Sequence, residues 1–140
     1  PADVKGTALL SWQHKDQPDD QWLFLPASGK MQRIAKGSKK NYFMGTDFTY
    51  EDMQSEDLDD YKYNNIGDES CDDGKDCYMV EAIPAGKKKA RESGYSKRKL
   101  WVRKDNFVTV KTEFYDRRKK LLKTQSTTGK TSYTADWRQR

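Results

Sequence analysis

Histidine occurs once in this chain, at His14, and cysteine twice, at Cys71 and Cys77. Chemistry that runs on histidine therefore has one location, a polar loop over 14–20 that holds Pro18 and three aspartates. A Ser-His-Asp or Cys-His centre would have to be built there, and no G-x-S-x-G string surrounds any serine. Walker and G-x-G-x-x-G phosphate loops are absent. A zinc site would need two more Cys or His than the cysteine pair supplies. The acidic run Glu56-Asp57-Leu58-Asp59-Asp60 fails the EF-hand pattern, because Tyr61 stands where an acidic or amide group belongs and Lys62 where a glycine belongs. Carboxylate pairs of the glycosidase kind are available, but nothing selects one pair. The expectation is no enzyme, no metal and no cofactor.

Apolar residues are also scarce, at 34% against 35% charged, and mean hydropathy is −1.15. No apolar run approaches the roughly 18 residues of a membrane span. The sequence opens at Pro1 with no signal-peptide core, so a targeting signal is expected upstream. Such a composition borders on disorder. What opposes it is the 12% of aromatic residues, set in ordered patterns. The expectation is a single domain over 1–140 whose thin core leans on aromatics.

Charge is divided along the chain. Residues 47–76 hold twelve Asp/Glu against two Lys, and residues 87–140 hold eighteen Lys/Arg against five Asp/Glu. The plain reading is that the basic half covers the acidic segment and lines a solvated sheet face. The alternative reading is a basic and aromatic sheet that binds nucleic acid or an acidic protein partner. Lys87-Lys88-Lys89, Lys97-Arg98-Lys99 and Arg117-Arg118-Lys119-Lys120 lie near Tyr95, Trp101, Phe107 and Tyr115. No RNP1 string accompanies them, and the acidic segment opposes that reading, so no nucleic acid is expected.

Between the cysteines lies Asp72-Asp73-Gly74-Lys75-Asp76, a strong turn sequence flanked by strand-like runs. Cysteines so spaced face each other across a hairpin neck. A disulfide there suits an oxidising compartment, with two reduced thiols as the alternative.

The rest is short alternating runs broken by turns, the pattern of antiparallel sheet. Ala8, Leu10 and Trp12 share one face, and residues 21–25 read as an apolar strand covered on both faces. Met31, Arg33 and Ala35 stand opposite Gln32 and Ile34. Strands follow at 61–66, 77–83, 96–104, 107–116, 121–127 and 131–136. In the sixth of these nine, Leu100 and Val102 point inward and Trp101 shares the outer face with Lys99 and Arg103. Thr46 or Thr49 can cap a short helix with Glu51 and Asp52 in its first turn. Residues 84–94 read as a basic loop. The inward residues, mostly aliphatic and aromatic, suit either a packed core or an apolar cavity.

Several strings point to a family. They are Val4-Lys5-Gly6-Thr7-Ala8-Leu9-Leu10, Gln21-Trp22-Leu23-Phe24-Leu25-Pro26, Met31-Gln32-Arg33-Ile34 and, above all, Phe43-Met44-Gly45-Thr46-Asp47-Phe48-Thr49-Tyr50-Glu51-Asp52-Met53. Together with Cys77-Tyr78, Leu100-Trp101-Val102 and Glu113-Phe114-Tyr115-Asp116, they resemble the outer-membrane lipoprotein-sorting, LolA-like family over roughly residues 2–135. The resemblance implies a mainly β fold: an antiparallel meander curled into an unclosed half barrel, with one short helix as lid or rim. It implies a periplasmic, non-catalytic carrier of lipid or lipoprotein acyl chains. An inner-membrane transporter or exporter is the implied partner, with peripheral membrane contact. Relatives run longer at both ends, so the chain reads as a middle section.

On that reading Leu10, Trp12, Trp22, Phe24, Val80, Val102, Val110 and Phe114 line the apolar cavity. Phe43, Met44, Gly45, Thr46, Asp47, Phe48 and Tyr50 form a lid or rim, or alternatively a turn that braces the sheet.

Overall fold

The computed structural model describes residues 4–15, 17, 19–71 and 74–128. The fold is mainly β. Strands β1 (Ala8–Trp12), β2 (Asp20–Leu25) and β3 (Lys30–Arg33) make an antiparallel meander. Strands β4 (Tyr61–Ser70), β5 (Asp76–Pro84), β6 (Lys97–Arg103), β7 (Thr109–Tyr115) and β8 (Leu121–Ser126) form a second antiparallel sheet in that order. Among the described residues neither sheet closes into a ring. The expected ninth strand, over 131–136, lies outside them.

The helix is not where the sequence placed it. The α-helix α1 is Gly86–Glu92, in the stretch read as a basic loop. Its Lys, Ala, Arg and Glu residues are good helix formers, and Lys89 and Arg91 in the last turn suit the negative end of the macrodipole. Residues 46–53 form turns instead. The backbone N–H groups a helix would use internally go elsewhere. Tyr50 N–H donates to the Asn41 carbonyl at 3.1 Å and Glu51 N–H to the Lys39 carbonyl at 2.7 Å.

Two compact units emerge: Pro1–Lys62 with Ile83–Ser96, and Tyr63–Ala82 with Lys97–Arg140. In the first, the buried residues are Leu23, Tyr50, Tyr61, Pro84 and Tyr95, with the polar Gln21, Thr49 and Ser93. In the second, Cys71, Cys77, Trp101 and Val110 form a cluster joined by Met79. Ala82 and Phe114 are buried as well. Aromatic side chains thus make up much of the interior, as the low aliphatic content requires.

Cys71 and Cys77 are disulfide-bonded, with Cα atoms 5.6 Å apart. The bond closes the turn between β4 and β5. Closure of so short a loop contributes about 2.4 kcal/mol by chain entropy.

Candidate ligand-binding face

Register decides which side chains of the first sheet share a face. Leu10 pairs with Trp22, Ala8 with Phe24 and Trp12 with Asp20. On the other side of β2, Phe24 pairs with Met31 and Trp22 with Arg33. Leu10, Trp12, Trp22 and Phe24 therefore stand together, and Met31 joins them. The opposite face carries Gln21 and Leu23, which are buried. The packing of this unit thus lies behind the sheet. The front stays open: Leu10, Trp12 and Met31 are 54%, 60% and 64% exposed. Trp12 and Trp22 lie with ring centroids 6.3 Å apart. At one end the apolar strip meets charge. His14 Nε2 lies 3.1 Å from Asp20 Oδ2, and Arg33 bonds the same carboxylate. The Arg33 guanidinium, helped by His14, holds the Asp20 carboxyl below its ordinary pKa. The lone histidine is thus a member of a surface ion cluster.

In the second sheet, Tyr78 pairs with Val102, Val80 with Leu100, Leu100 with Thr112 and Arg98 with Phe114. Val80, Val102 and Phe114 share a face. Val80 and Val102 are half-buried, and Phe114 is buried beneath Lys123, whose Nζ lies 4.8 Å from the ring centroid. Val110 is placed differently from the strand alternation that grouped it with them. The register shifts between Trp101 and Val102, and Val110 packs with Trp101 and the disulfide. A bulge inserts one residue and so re-aims its neighbours. Trp101 does share its face with Lys99 and Arg103, but this face is no solvated surface at that point. The indole is 7% exposed. Its Nε1 donates to Glu69 at 2.8 Å, and Lys111 Nζ sits 4.4 Å from the ring centroid.

The Phe43–Met53 motif divides into an open tip and an anchored stem. Met44 and Gly45, both at positive φ, turn the chain so that Phe43 N–H reaches the Phe48 carbonyl at 2.7 Å. Gly45, Thr46, Asp47 and Phe48 are exposed. Phe43 and Tyr50 meet edge to face at 5.6 Å. The stem residues are bonded, with Thr49 and Tyr50 buried and Glu51 and Asp52 half-buried. Asp52 Oδ2 accepts the Thr49 N–H at 2.7 Å, and Asp52 N–H donates to Thr49 Oγ1 at 3.2 Å. The Tyr95 hydroxyl donates to Asp52 Oδ1 at 2.9 Å. Glu51 accepts the Gly94 N–H at 2.8 Å and the Tyr61 hydroxyl at 3.3 Å. A side chain at Gly94 would press on Lys40 Cβ, 3.3 Å from where its own Cβ would stand. Gln21 Nε2 donates to the Tyr50 carbonyl at 3.0 Å. The stem is thus a brace that ties β2, Tyr61 and the 93–95 segment together. Tyr95, Gln21 and Gly94 escaped the sequence reading because each acts through a partner many residues away.

Several basic side chains find acids or aromatic rings nearby. Lys89 pairs with Asp60 at 2.7 Å in the first unit, and Lys104 with Asp68 at 2.6 Å in the second. Lys97 and Lys99 stand 5.2 and 5.7 Å from the Tyr115 ring centroid. These rings are covered by the chain's own cations, which leaves little for base stacking. Among the described residues no group of His, Cys, Asp and Glu could hold a metal, and no helix is long and apolar enough to cross a membrane. A cleft of about 430 Å³ in the first unit is lined by His14, Lys39, Glu51, Asp57, Lys89 and Glu92, among others. Such a lining does not suit an acyl chain. Burial pulls the Lys39 pKa down, and its ammonium donates to the Asp19 carbonyl at 3.0 Å.

Two tyrosines give the fold an alkaline limit. The Glu113 carboxylate accepts the Tyr115 hydroxyl at 2.7 Å and pushes its pKa up to about 12. Burial, and then the Asp52 carboxylate, raises Tyr95 too. In the unfolded chain a phenol ionises near 10. Their stabilisation is complete below pH ~10 and is lost as pH climbs through about 12 for Tyr115. Tyr115→Phe, which lacks that stabilisation at every pH, should be less stable than wild type below pH ~10 and show a flatter fall in stability between pH ~10 and about 12, followed by denaturant unfolding and circular dichroism across that range. A stability profile that falls as steeply as wild type's would show that Tyr115 does not couple to unfolding.

A family described as "-like: Uncharacterized protein" has a model that matches residues 1–140. Among curated proteins, none matches significantly. Solved structures do. A protein domain from Vibrio parahaemolyticus, described as outer membrane lipoprotein-sorting, is 41% identical over 95% of this chain and 55% of its own, with a TM-score of 0.85. A DUF1329 family protein from Desulfovibrio piger is 40% identical over 89% of this chain and 51% of its own, with a TM-score of 0.79. A LolA superfamily protein from Nitrosomonas europaea is 28% identical over 75% of this chain and 44% of its own, with a TM-score of 0.53. The chain thus spans about half the length of these structures.

Proposed function

Because the chain belongs to the LolA-like, outer-membrane lipoprotein-sorting family, we propose that it is a non-catalytic carrier of lipid or lipoprotein acyl chains. The single observation that carries this reading is the open apolar face of the first sheet. Leu10, Trp12 and Met31 are each more than half exposed, beside Trp22 and Phe24. A sheet usually buries one face and solvates the other with polar groups. Here the second face is apolar too, which an acyl chain can use. Each methylene transferred from water contributes about 0.8 kcal/mol, so a few chains suffice for tight, reversible holding. In the second unit, taken by itself, Val80, Val102 and Phe114 are apolar residues of the shared sheet face. The Phe43–Tyr50 tip serves as the rim and the Thr49–Asp52 stem as its brace. The carrier works in the periplasm, in outer-membrane lipoprotein sorting or lipid transport, and exchanges cargo with an inner-membrane transporter or exporter. The disulfide suits that oxidising compartment.

Trp12→Asp, at an exposed position, should leave thermal unfolding within a few degrees of wild type. It should weaken binding of a fluorescent fatty acid at least about tenfold, as expected from a charge set in an apolar contact. Unchanged affinity in this variant, with Leu10→Asp behaving likewise, would sink the assignment of this face.

A further inference from the structure

The β7–β8 hairpin turns through Arg117-Arg118-Lys119-Lys120, four consecutive exposed cations, and β8 then opens with Leu121 and Leu122. Neither leucine is buried; they are 55% and 44% exposed. The ladder explains why. Phe114 pairs with Lys123 but Tyr115 with Leu121, so β8 carries one extra residue at this end. A bulge breaks the alternation that would have turned one of two successive side chains inward. The turn itself is well held. Asp116 Oδ1 accepts the backbone N–H of Arg118 at 2.8 Å and of Lys120 at 2.9 Å. Asp116 N–H donates to the Lys120 carbonyl at 2.8 Å, and Lys119 N–H to the Asp116 carbonyl at 2.9 Å. The carboxylate at the turn is thus engaged by backbone amides.

We propose that this hairpin tip is a membrane-docking element for an anionic phospholipid surface. The four cations meet the headgroups, and Leu121 and Leu122 enter the boundary between headgroups and acyl chains. An acidic protein or a nucleic acid would use the cations but has no layer for two exposed leucines beside them. A bilayer surface offers anionic and apolar layers at that separation. Each cation close to an anionic leaflet raises partitioning roughly fivefold, so Arg118, Lys119 and Lys120 together raise it on the order of a hundredfold. Helix α1 is the natural comparison. It carries Lys87, Lys88 and Lys89 but no exposed large apolar residue, and Lys89 is paired with Asp60. The proposal stands apart from the acyl-carrier reading: the tip would dock whether or not the first sheet holds a chain.

The test is sedimentation of the full chain with vesicles of phosphatidylcholine mixed with phosphatidylglycerol, against pure phosphatidylcholine. Binding should need the anionic lipid and weaken at high salt. Arg118→Glu with Lys120→Glu should lower partitioning at least about 25-fold, and Leu121→Ser with Leu122→Ser about tenfold. Lys87→Glu with Lys88→Glu, the same change of charge on α1, should stay within about twofold of wild type. The native cysteines are disulfide-bonded, so Leu122→Cys offers one thiol for an environment-sensitive dye. That dye should brighten on anionic vesicles. The proposal is overturned by equal losses from the hairpin and α1 charge variants, or by vesicle binding without brightening. It is also overturned if a polynucleotide or an acidic peptide binds more tightly than the vesicles. Should the charge-reversed hairpin fail to fold, the dye-labelled chain and its salt release decide.

Discussion

Val110→Asp is expected to unfold the second unit outright. Val110 is 6% exposed and packs with Trp101, Cys71 and Cys77. An ionised carboxylate placed among a disulfide, an indole and a thioether costs several kcal/mol. A unit of this size has only about 5 kcal/mol or somewhat more to lose. The expected signs are loss of the near-ultraviolet tryptophan signal and no cooperative thermal transition for this unit. Val110→Ala should remain folded with a loss of about 2 kcal/mol, two methyl groups' worth of burial plus some cavity. The contrast with Trp12→Asp is informative. The same aspartate should cost little stability on the open face of the first sheet. If Val110→Asp folds with a wild-type midpoint, the cluster around the disulfide is not what holds the unit.

Asp52→Ala is expected to produce the largest loss of stability of any polar substitution in the first unit. Its carboxylate accepts from the Thr49 amide and the Tyr95 hydroxyl, and both of those residues are buried. Removing it deprives two buried donors of their charged acceptor. At ~1–3 kcal/mol for each, the loss is about 2–6 kcal/mol, or a Tm lower by roughly 10 °C or more. Asp52→Asn keeps an acceptor oxygen and should lose about half as much. Differential scanning calorimetry reads both. A change of under ~0.5 kcal/mol in Asp52→Ala would mean that the stem of the motif is not a brace.

Much of the architecture was legible because it is local. Alternation in residues 8–12, 97–103 and 109–115 reports strands directly, since successive side chains point to opposite faces. The Asp-Gly turn between Cys71 and Cys77 dictates a hairpin neck, and the disulfide follows from its geometry. The face shared by Leu10, Trp12, Trp22 and Phe24 also follows from alternation plus a short meander. Two of the readings that went astray did so for one reason, that local pattern competes with distant partners. Thr49, Glu51 and Asp52 look like a helix entry. Their polar groups instead bond Tyr95, Gly94 and Tyr61, and the backbone turns rather than coils. Trp101 alternates with lysine and arginine, yet Glu69 and Lys111 close over it.

The sequence by itself therefore determined the class of fold, the hairpins and the covalent staple. Those depend on residue type, spacing of two and turn propensity, which act within a few residues. Only the tertiary structure decided where the helix lies, which side of the first sheet stays open and why Val110 leaves its strand-mates for the disulfide. It also decided that the acidic Thr49–Asp52 segment is a brace, buried at Thr49 and Tyr50. Each of these turns on register and on hydrogen bonds across tens of residues, where one extra residue in a ladder redirects a side chain that alternation alone would have sent the other way.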